Sequence, residues 1–334
     1  MSPNLKTENI LAPILLVAYN RPNHFKQALN ALIKNKETKD SILYICIDGP
    51  RNTEDKINQK IMFDYIETIR TEFQNINIVK QNSNLGLAKN MIHNVTNIIN
   101  KHDKLIVIED DSVVSEAFLE FMNKALAYYE PHKKVWHISS HSWINDSKKI
   151  NDVYLYRVMH CWGYGTWKDR WRYFEKDPQS LINQFTEQDI KRFNLDETEN
   201  FWSQVLDNHS GHINTWAIFW YATIFKNNGL CMCPFYSYVE NIGFDGSGTN
   251  CGYDKKYDAQ SQLLNIHGKF NPQIDIEESL LAVNKIKKYY NDKSSNYNKF
   301  IKLVLSLLVG KKLSRKLGTL WWKIKNSRNT FFKR

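Results

Sequence analysis

The first third of the sequence alternates short apolar runs with amphipathic segments, and this alternation limits the possible folds more than any other feature. Four apolar runs have the length of strands, at 14–19, 42–47, 76–79 and 105–108. The segments between them carry apolar residues at helical spacing. Strands that read as buried, separated by helices, predict an α/β fold with a mostly parallel sheet flanked by helices.

Polar residues follow three of these four runs directly. Asn20 and Arg21 follow the first run, Asp48 follows the second, and the acidic triplet Glu109-Asp110-Asp111 follows the fourth. Ligands of parallel α/β sheets bind beyond the carboxyl ends of the strands. The sequence therefore predicts a binding site where these residues meet at one edge of the sheet.

The acidic triplet needs its own explanation, because adjacent carboxylates repel each other. One interpretation is a helix start, with Ser115 as the N-cap and Glu116 in the first turn, which accounts for one acid better than for three. The other is a divalent cation. Magnesium and manganese favour one or two protein carboxylates together with phosphate oxygens of a substrate.

Four ordered segments carry a resemblance: ILLVAYNRP, IDGPR, NSNLGLAKN and VIEDD. They resemble the nucleotide-binding half of GT-A-fold glycosyltransferases, including bacterial family 2-type enzymes. The Glu-Asp-Asp triplet is similar to the DxD motif of the N-acetylglucosaminyltransferase I family. The resemblance covers residues 12–250 and is strongest over 12–111. It implies a Rossmann-like GT-A fold, a nucleotide-sugar donor that is usually UDP-linked, Mn²⁺ or Mg²⁺, and sugar transfer to an acceptor hydroxyl.

The resemblance also implies roles for the matching positions. Asp111 matches the metal ligand, and the matching donor-binding residues are Asn20, Arg21, Asp48, Asn84, Gly86, Lys89, Glu109 and Asp110. Within that set, Asp110 is expected at the ribose and Asp48 at the base. Simpler interpretations stay open for several of them, since Asn20, Asp48 and Gly86 also suit ordinary turns, and Lys89 suits a solvated helix face.

The catalytic base does not follow from the resemblance. The family's Trp-Asp-Asp-Trp segment corresponds to 215–220 here, which keeps both tryptophans and has no acid. The remaining candidates are Asp245, Asp169, Glu240 and Asp207. Asp245 is preferred, because its glycine-rich loop could close over a donor. The aromatic segment 162–171, with Arg157 and His160, is a candidate acceptor wall, although core packing explains at least half of its rings.

The charge distribution suggests how the chain is organised. Residues 1–270 are predicted to form the catalytic domain, with a nucleotide-binding half at 12–111 and an acceptor half at 112–270, followed by a helical tail at 271–334. Nine Lys and Arg residues and no acid lie between 311 and 334, with apolar residues on one helical face. This basic amphipathic pattern favours an anionic membrane surface. The alternative is a helix packed on the body with a solvated basic face.

Together these features predict a metal-dependent glycosyltransferase of bacterial surface glycan synthesis, in polysaccharide or lipooligosaccharide assembly. The donor is expected to be a UDP-sugar, with UDP-GlcNAc suggested by similarity alone, and the acceptor a glycan or lipid-linked glycan. No secretory signal or membrane-spanning run is recognised, and the five cysteines are interpreted as reduced thiols, so we expect a cytoplasmic protein at the inner face of the cytoplasmic membrane.

Three other classes of protein remain as alternatives. A nucleotidyltransferase would be expected to carry a glycine-rich basic loop after the first strand, which AYNRPNH lacks. A non-catalytic sugar-binding relative would explain the missing acids at 215–220. A nucleic-acid-binding protein would use the basic tail, but no nucleic-acid motif is recognised, and no nucleic-acid partner is expected.

Overall fold

The computed structural model describes residues 11–144, 146, 149, 152–246 and 270–292. The basic helix predicted for 311–334 and most of the glycine-rich loop after Asp245 lie outside the described residues. Both therefore stay predictions. No helix in the described ranges is long and apolar enough to cross a membrane.

Eight strands form one sheet, in the order β3-β2-β1-β4-β8-β6-β9-β7, and β5 and β10 form a small antiparallel pair. The strand bounds are β1 Ile14–Ala18, β2 Ile42–Ile47, β3 Asn75–Lys80, β4 Lys104–Glu109, β5 Ser112–Val114, β6 Val135–Ser139, β7 Val153–Tyr156, β8 Tyr164–Trp167, β9 Leu230–Pro234 and β10 Val239–Asn241.

The four N-terminal strands of the sheet run parallel, which brings their carboxyl ends to one edge. β1 pairs with β2 on one side and β4 on the other, and β2 pairs with β3. Ala18 is opposite Ile47, and Val17 is opposite Glu109, so the residues that follow these three strands start at nearly the same level. β8 and β7 are antiparallel to their neighbours, while β6 and β9 are parallel. The predicted mostly parallel sheet flanked by helices is confirmed.

The helices alternate with the parallel strands and then fill the second half of the chain. Their bounds are α1 Pro22–Ile33, α2 Thr53–Thr68, α3 Leu87–Ile99, α4 Phe118–Tyr129, α5 Lys168–Trp171, α6 Pro178–Gln184, α7 Glu187–Phe193, α8 Trp202–His209, α9 Ala217–Lys226 and α10 at 280–292. The apolar stripe of α1, from Phe25 to Leu32, is buried in the same hydrophobic core as the side chains of β1 and β2. Removal of that apolar surface from water is what holds the helix on the sheet.

The helix-start explanation of the acidic triplet is wrong. α4 begins at Phe118, Ala117 occupies its N-cap position, and no side chain caps it. The Ser115 hydroxyl is buried without a hydrogen-bond partner among the described residues. The triplet is followed by strand β5 and not by a helix. The three acids therefore stand at the turn between β4 and β5, and α4 does not begin directly after them.

The chain divides into two compact units, 1–283 and 284–334. Within the first unit, several residues of the predicted tail segment contact the preceding body, among them Gln273 and Glu278. The backbone N–H of Gln273 donates to the Tyr129 hydroxyl at 2.9 Å, and the Glu278 carboxylate binds the Arg157 guanidinium, with 2.7 Å between Nη2 and Oε2. The predicted domain boundary at 270 stays a prediction.

Candidate active site

A cavity of about 520 Å³ lies at the carboxyl ends of β1, β2 and β4. It contains every predicted donor or metal residue except Lys89. The polar residues that line it are Tyr19, Asn20, Arg21, Asp48, Arg51, Asn84, Asn90, Glu109, Asp110, Asp111, Gln204, Thr215 and Asn241, and Gly86, Cys161, Trp162 and Trp216 also contribute. The predicted convergence at one sheet edge is therefore present. Lys89 lies elsewhere, on the exposed face of α3.

Arg21 binds two of the three acids. Its Nη2 is 2.9 Å from Asp111 Oδ2 and also binds Asp110 Oδ1, while Nε lies 3.4 Å from the other Asp110 oxygen. Arg21 precedes Pro22, the first residue of α1, so the turn into the helix directs it toward the end of β4. Burial lowers the pKa of the guanidinium, but the two carboxylates outweigh that effect and raise it. Arg21 is therefore charged at any ordinary pH.

One arginine cannot neutralise three carboxylates. Burial and the charges of Asp111 and Asp110 together raise the pKa of Glu109 to about 8, although Arg21 opposes the shift. Burial also raises the pKa of Asp110, although Arg21 opposes the shift. The raised pKa values of Glu109 and Asp110 have the same cause, which is an excess of negative charge in a poorly solvated site. The site is therefore electrostatically suited to an additional cation.

The donor atoms at this position fit a hard divalent cation. Asp110 and Asp111 supply carboxylate oxygens, the ligand type that Mg²⁺ and Mn²⁺ prefer. Asn241 Nδ2 holds Asp111 Oδ1 at 3.2 Å, and Gly243 approaches so closely that a Cβ there would lie 2.4 Å from Asp111 Oδ2. No cluster of three or more His, Cys, Asp or Glu side chains arranged for a metal is found in the described ranges. A metal here would need substrate oxygens to complete its coordination.

Asp48 fixes the loop that forms one wall of the cavity. Its Oδ1 accepts from the backbone N–H groups of Gly49 and Leu85 at 2.8 Å, and its Oδ2 accepts from that of Gly86 at 2.9 Å. Asn84 Nδ2 donates to the Gly49 carbonyl at 2.9 Å. These bonds join the end of β2 to the start of α3. The predicted contact of Asp48 with a base stays a prediction, and its observed partners are backbone groups.

A network around Asp55 holds the residues after β1, and the sequence analysis missed it. Asn20 Nδ2 lies 2.5 Å from Asp55 Oδ1, the Tyr19 hydroxyl binds the other oxygen, and Arg51 stacks on the Tyr19 ring at 4.8 Å. Burial raises the pKa of Asp55, but its hydrogen bonds from Tyr19, the Arg51 backbone and Asn20 outweigh this and lower it to about 2. The only signal in the sequence was Arg51 in IDGPR.

The candidate bases do not line the cavity within the described residues. Asp245 Oδ2 lies 3.1 Å from His24 Nε2, on the first turns of α1. Asp169 pairs with Lys133 at 2.8 Å and is half-exposed. Glu240 lies on β10 opposite Val113 of β5. Asp207 lies on α8 and is likewise absent from the cavity wall. The identity of the base stays a prediction, and the preference for Asp245 rests on its loop, which follows the lining residue Asn241.

The predicted acceptor wall is only partly present. Trp162 lines the cavity, and so does Trp216, which lies outside the predicted segment but in the same half of the chain. Trp167 and Trp171 are almost wholly buried and belong to the interior. Arg157 binds Glu278 and Asp196, and His160 binds the Tyr156 hydroxyl, so neither faces the cavity.

The raised pKa of Glu109 predicts a pH effect on stability. Glu109 binds its proton more tightly in the folded chain, so the free energy of unfolding should fall as pH rises from its ordinary pKa of 4.5 to about 8. The Glu109→Gln variant should flatten this fall by up to about 1.4 kcal/mol per pH unit. Urea unfolding in EDTA at several pH values measures it. The exposed Glu54, changed to Gln, is the control, and equal slopes in wild type and Glu109→Gln would contradict the assignment.

No protein-family model matches this chain, and no curated protein sequence matches it. Among solved structures, it is similar to the mannosyltransferase PcManGT from Pyrobaculum calidifontis, determined in complex with GDP-Man and Mn²⁺. That similarity has 10% sequence identity and a TM-score of 0.38, and it covers 68% of this chain and 72% of the other.

Proposed function

We propose that this chain is a metal-dependent glycosyltransferase that takes its sugar from a nucleotide-sugar donor. The observation that carries the proposal is the arrangement at the sheet edge, where Glu109, Asp110 and Asp111 face one cavity with Arg21 as their only ion-pair partner in the described chain. Their surplus negative charge suits a divalent cation that also binds a diphosphate. The resemblance of the four N-terminal segments supports the same reaction class.

Asp111, with Asp110 beside it, would hold the cation. When bound, Mn²⁺ or Mg²⁺ would supply electrostatic stabilisation for the negative charge that develops on the leaving diphosphate. Arg21 neutralises part of the acidic charge and keeps both aspartates in place through direct hydrogen bonds. The Asp48 bracket, which is the set of hydrogen bonds that Asp48 accepts from the backbone of Gly49, Leu85 and Gly86, holds one wall of the nucleotide cavity. The Asp55 network holds the residues after β1. Both keep the site in a fixed geometry before substrate binds, which is what transition-state stabilisation requires.

The second half of the chain would supply the acceptor side. Trp162 and Trp216 present aromatic rings at the cavity, and aromatic faces suit the apolar faces of sugar rings. Gln204 adds a neutral hydrogen-bonding group there. An acceptor hydroxyl would gain from a base within hydrogen-bond reach, and Asp245 is the proposed group because its loop follows Asn241. A UDP-linked donor and an acceptor of bacterial surface glycan remain parts of this proposal.

A donor panel tests the function directly. The purified chain is incubated with UDP-, GDP- and other nucleotide-sugars, with Mn²⁺ or with EDTA, and the released nucleotide is identified. Metal-dependent release of a nucleoside diphosphate is expected. Release of pyrophosphate instead would indicate a nucleotidyltransferase. No turnover with any donor, together with no nucleotide binding by calorimetry, would overturn the proposal in favour of a non-catalytic protein.

We also propose that the chain works at the inner face of the cytoplasmic membrane. This rests on the basic amphipathic sequence at 311–334. Deletion of these residues should release the protein from sedimenting anionic vesicles at moderate salt. Unchanged sedimentation would argue for the alternative of a solvated helix.

A further inference from the structure

A second cavity, of about 440 Å³, lies against the exposed face of α3. Its polar lining residues are Lys89, His93, Thr96, Asn97, Lys176 and Asn214. The lining contains no carboxylate among the described residues, although Asp and Glu make up 35 of the 334 residues of the chain. Two lysines and several neutral hydrogen-bonding groups therefore face one concave space with no acid in its wall.

Neither lysine of this cavity has a counter-ion among the residues that the structure describes. Lys89 is exposed and makes no ion pair or side-chain hydrogen bond in the described part of the chain. The Lys176 ammonium hydrogen-bonds to the neutral oxygen of Asn214 and lies 5.3 Å from the centroid of the Phe219 ring. Burial also lowers the pKa of Lys176, which is what a positive charge without a carboxylate partner should show. The Lys176 charge is thus held in place by neutral groups.

The remaining polar groups add hydrogen-bond donors. Thr96 Oγ1 accepts from Trp171 Nε1 at 3.0 Å, which leaves its own hydrogen to donate. The Asn97 amide nitrogen lies 2.8 Å from His93 Nε2, and this contact fixes both side chains at the cavity wall. Ammonium groups beside hydroxyl and imidazole donors are suited to oxygen-rich anions such as phosphate.

The two cavities share two walls. α3 supplies Asn90 to the nucleotide cavity and Lys89 to the second cavity. The segment before α9 does the same, with Asn214 in the second cavity and Thr215 and Trp216 in the first. A ligand that leaves the nucleotide cavity between α3 and this segment would reach the lysines.

We propose that the second cavity binds a phosphate group carried by the acceptor substrate. The assignment to an acceptor rests on the proposed glycosyltransferase function. In that proposal the phosphates of the nucleotide bind the cation at the acidic triplet, so a phosphate in the second cavity would come from the other substrate, the acceptor. The phosphate recognition itself rests on the cavity alone. Lys89 and Lys176 would neutralise the anion, and Thr96 would donate to it.

The probe for the site is inorganic phosphate, followed by NMR. The side-chain resonances of Lys89 and Lys176 are assigned with single Gln variants, and those of His93 report from the same wall. We expect saturable shifts at these residues at phosphate concentrations that leave the exposed Lys34 and Lys56 unchanged. Equal shifts at all four lysines would overturn the site.

The double variant Lys89→Gln/Lys176→Gln should weaken phosphate binding at His93 about tenfold or more, since two charge-assisted contacts are removed. The variant Lys34→Gln/Lys56→Gln has the same net charge and should bind as the wild type does. If both double variants bind phosphate equally, the cavity is not the site. A specific loss in the first variant supports it.

Two further arms separate the possible sources of the phosphate. Glucose 1-phosphate that shifts Lys89 and Lys176 supports a soluble phosphorylated acceptor, and vesicles of phosphatidic acid that broaden them support a lipid-borne one. If inorganic phosphate shifts these resonances but neither glucose 1-phosphate nor the vesicles affect them, the acceptor assignment is overturned. Failure of the donor panel with intact phosphate shifts removes the proposed function and leaves the site. Donor turnover without phosphate shifts removes only this inference.

Discussion

Replacement of Asp111 by Asn should reduce metal-dependent nucleotide release by at least about a hundredfold, because a bound metal supplies several kcal/mol of transition-state stabilisation. Asn keeps the shape of Asp and one oxygen, so Asn241 and Gly243 can stay in place. What the variant removes is the charge that would hold the cation. The measurement is the initial rate of nucleotide release against Mn²⁺ concentration.

The exposed Asp64 on α2, changed to Asn, is the matched control for the loss of one carboxylate, and it should keep the wild-type rate. Thermal unfolding gives a second measurement that does not depend on turnover. Mn²⁺ should raise the unfolding midpoint of the wild type and of Asp64→Asn, since a ligand that binds the folded state stabilises it, and should not raise that of Asp111→Asn. An Asp111→Asn variant that retains both its rate and its Mn²⁺ response would refute the metal assignment.

The sheet and its polar edge could be predicted from the sequence because the strands concerned are buried on both faces. Continuous apolar runs predict β1, β2 and β4. Because these strands pair in parallel, their carboxyl ends lie at one edge of the sheet even when the exact register is not known. The acids after β4 could therefore be placed beside Arg21 without knowledge of any side-chain contact. Local pattern and sheet topology agree at this position.

The features that were missed depend on pairings between distant segments. β8 pairs antiparallel with β4 across about sixty residues of sequence, whereas the sequence analysis treated 162–171 only as a candidate acceptor wall. The Asp55 network joins the residues after β1 to Arg51 and the first turn of α2, so the local pattern of either segment does not predict it. Secondary-structure propensity predicts neither the pairing of β8 with β4 nor the hydrogen bonds of Asp55, since both form only once the sheet has formed.

The position of Lys89 could have been predicted from helix phase. Ala88, Met91 and Val95 form the buried stripe of α3, whereas Lys89 and His93 lie four residues apart on its exposed face. The resemblance of the segment NSNLGLAKN implied that Lys89 binds the donor. The helical period instead places it in the second cavity.

Replacement of Gly49 by Ala should lower the free energy of unfolding by about 3 kcal/mol, the upper end of what overpacking usually costs. An ideal Cβ at Gly49 would lie 2.2 Å from the carbonyl carbon of Ser83 and 2.6 Å from the backbone nitrogen of Asn84. These are backbone atoms, so no side-chain rotation can relieve the clash. The loop before α3 must move, and it would lose its bonds to Asp48.

Gly165→Ala is the control, because the three atoms nearest to its Cβ would be the ends of Leu126 and Met122, at 3.1 to 3.2 Å, and these flexible side chains can shift. Urea unfolding should show a cost of about 1 kcal/mol for this variant, and clearly more for Gly49→Ala. Gly49→Ala should also bind nucleotide more weakly at a temperature where it is still folded, since the Asp48 bracket forms a wall of the nucleotide cavity. Equal costs for the two variants, with unchanged nucleotide binding, would show that the loop before α3 adapts freely and that Asp48 does not set the shape of the site.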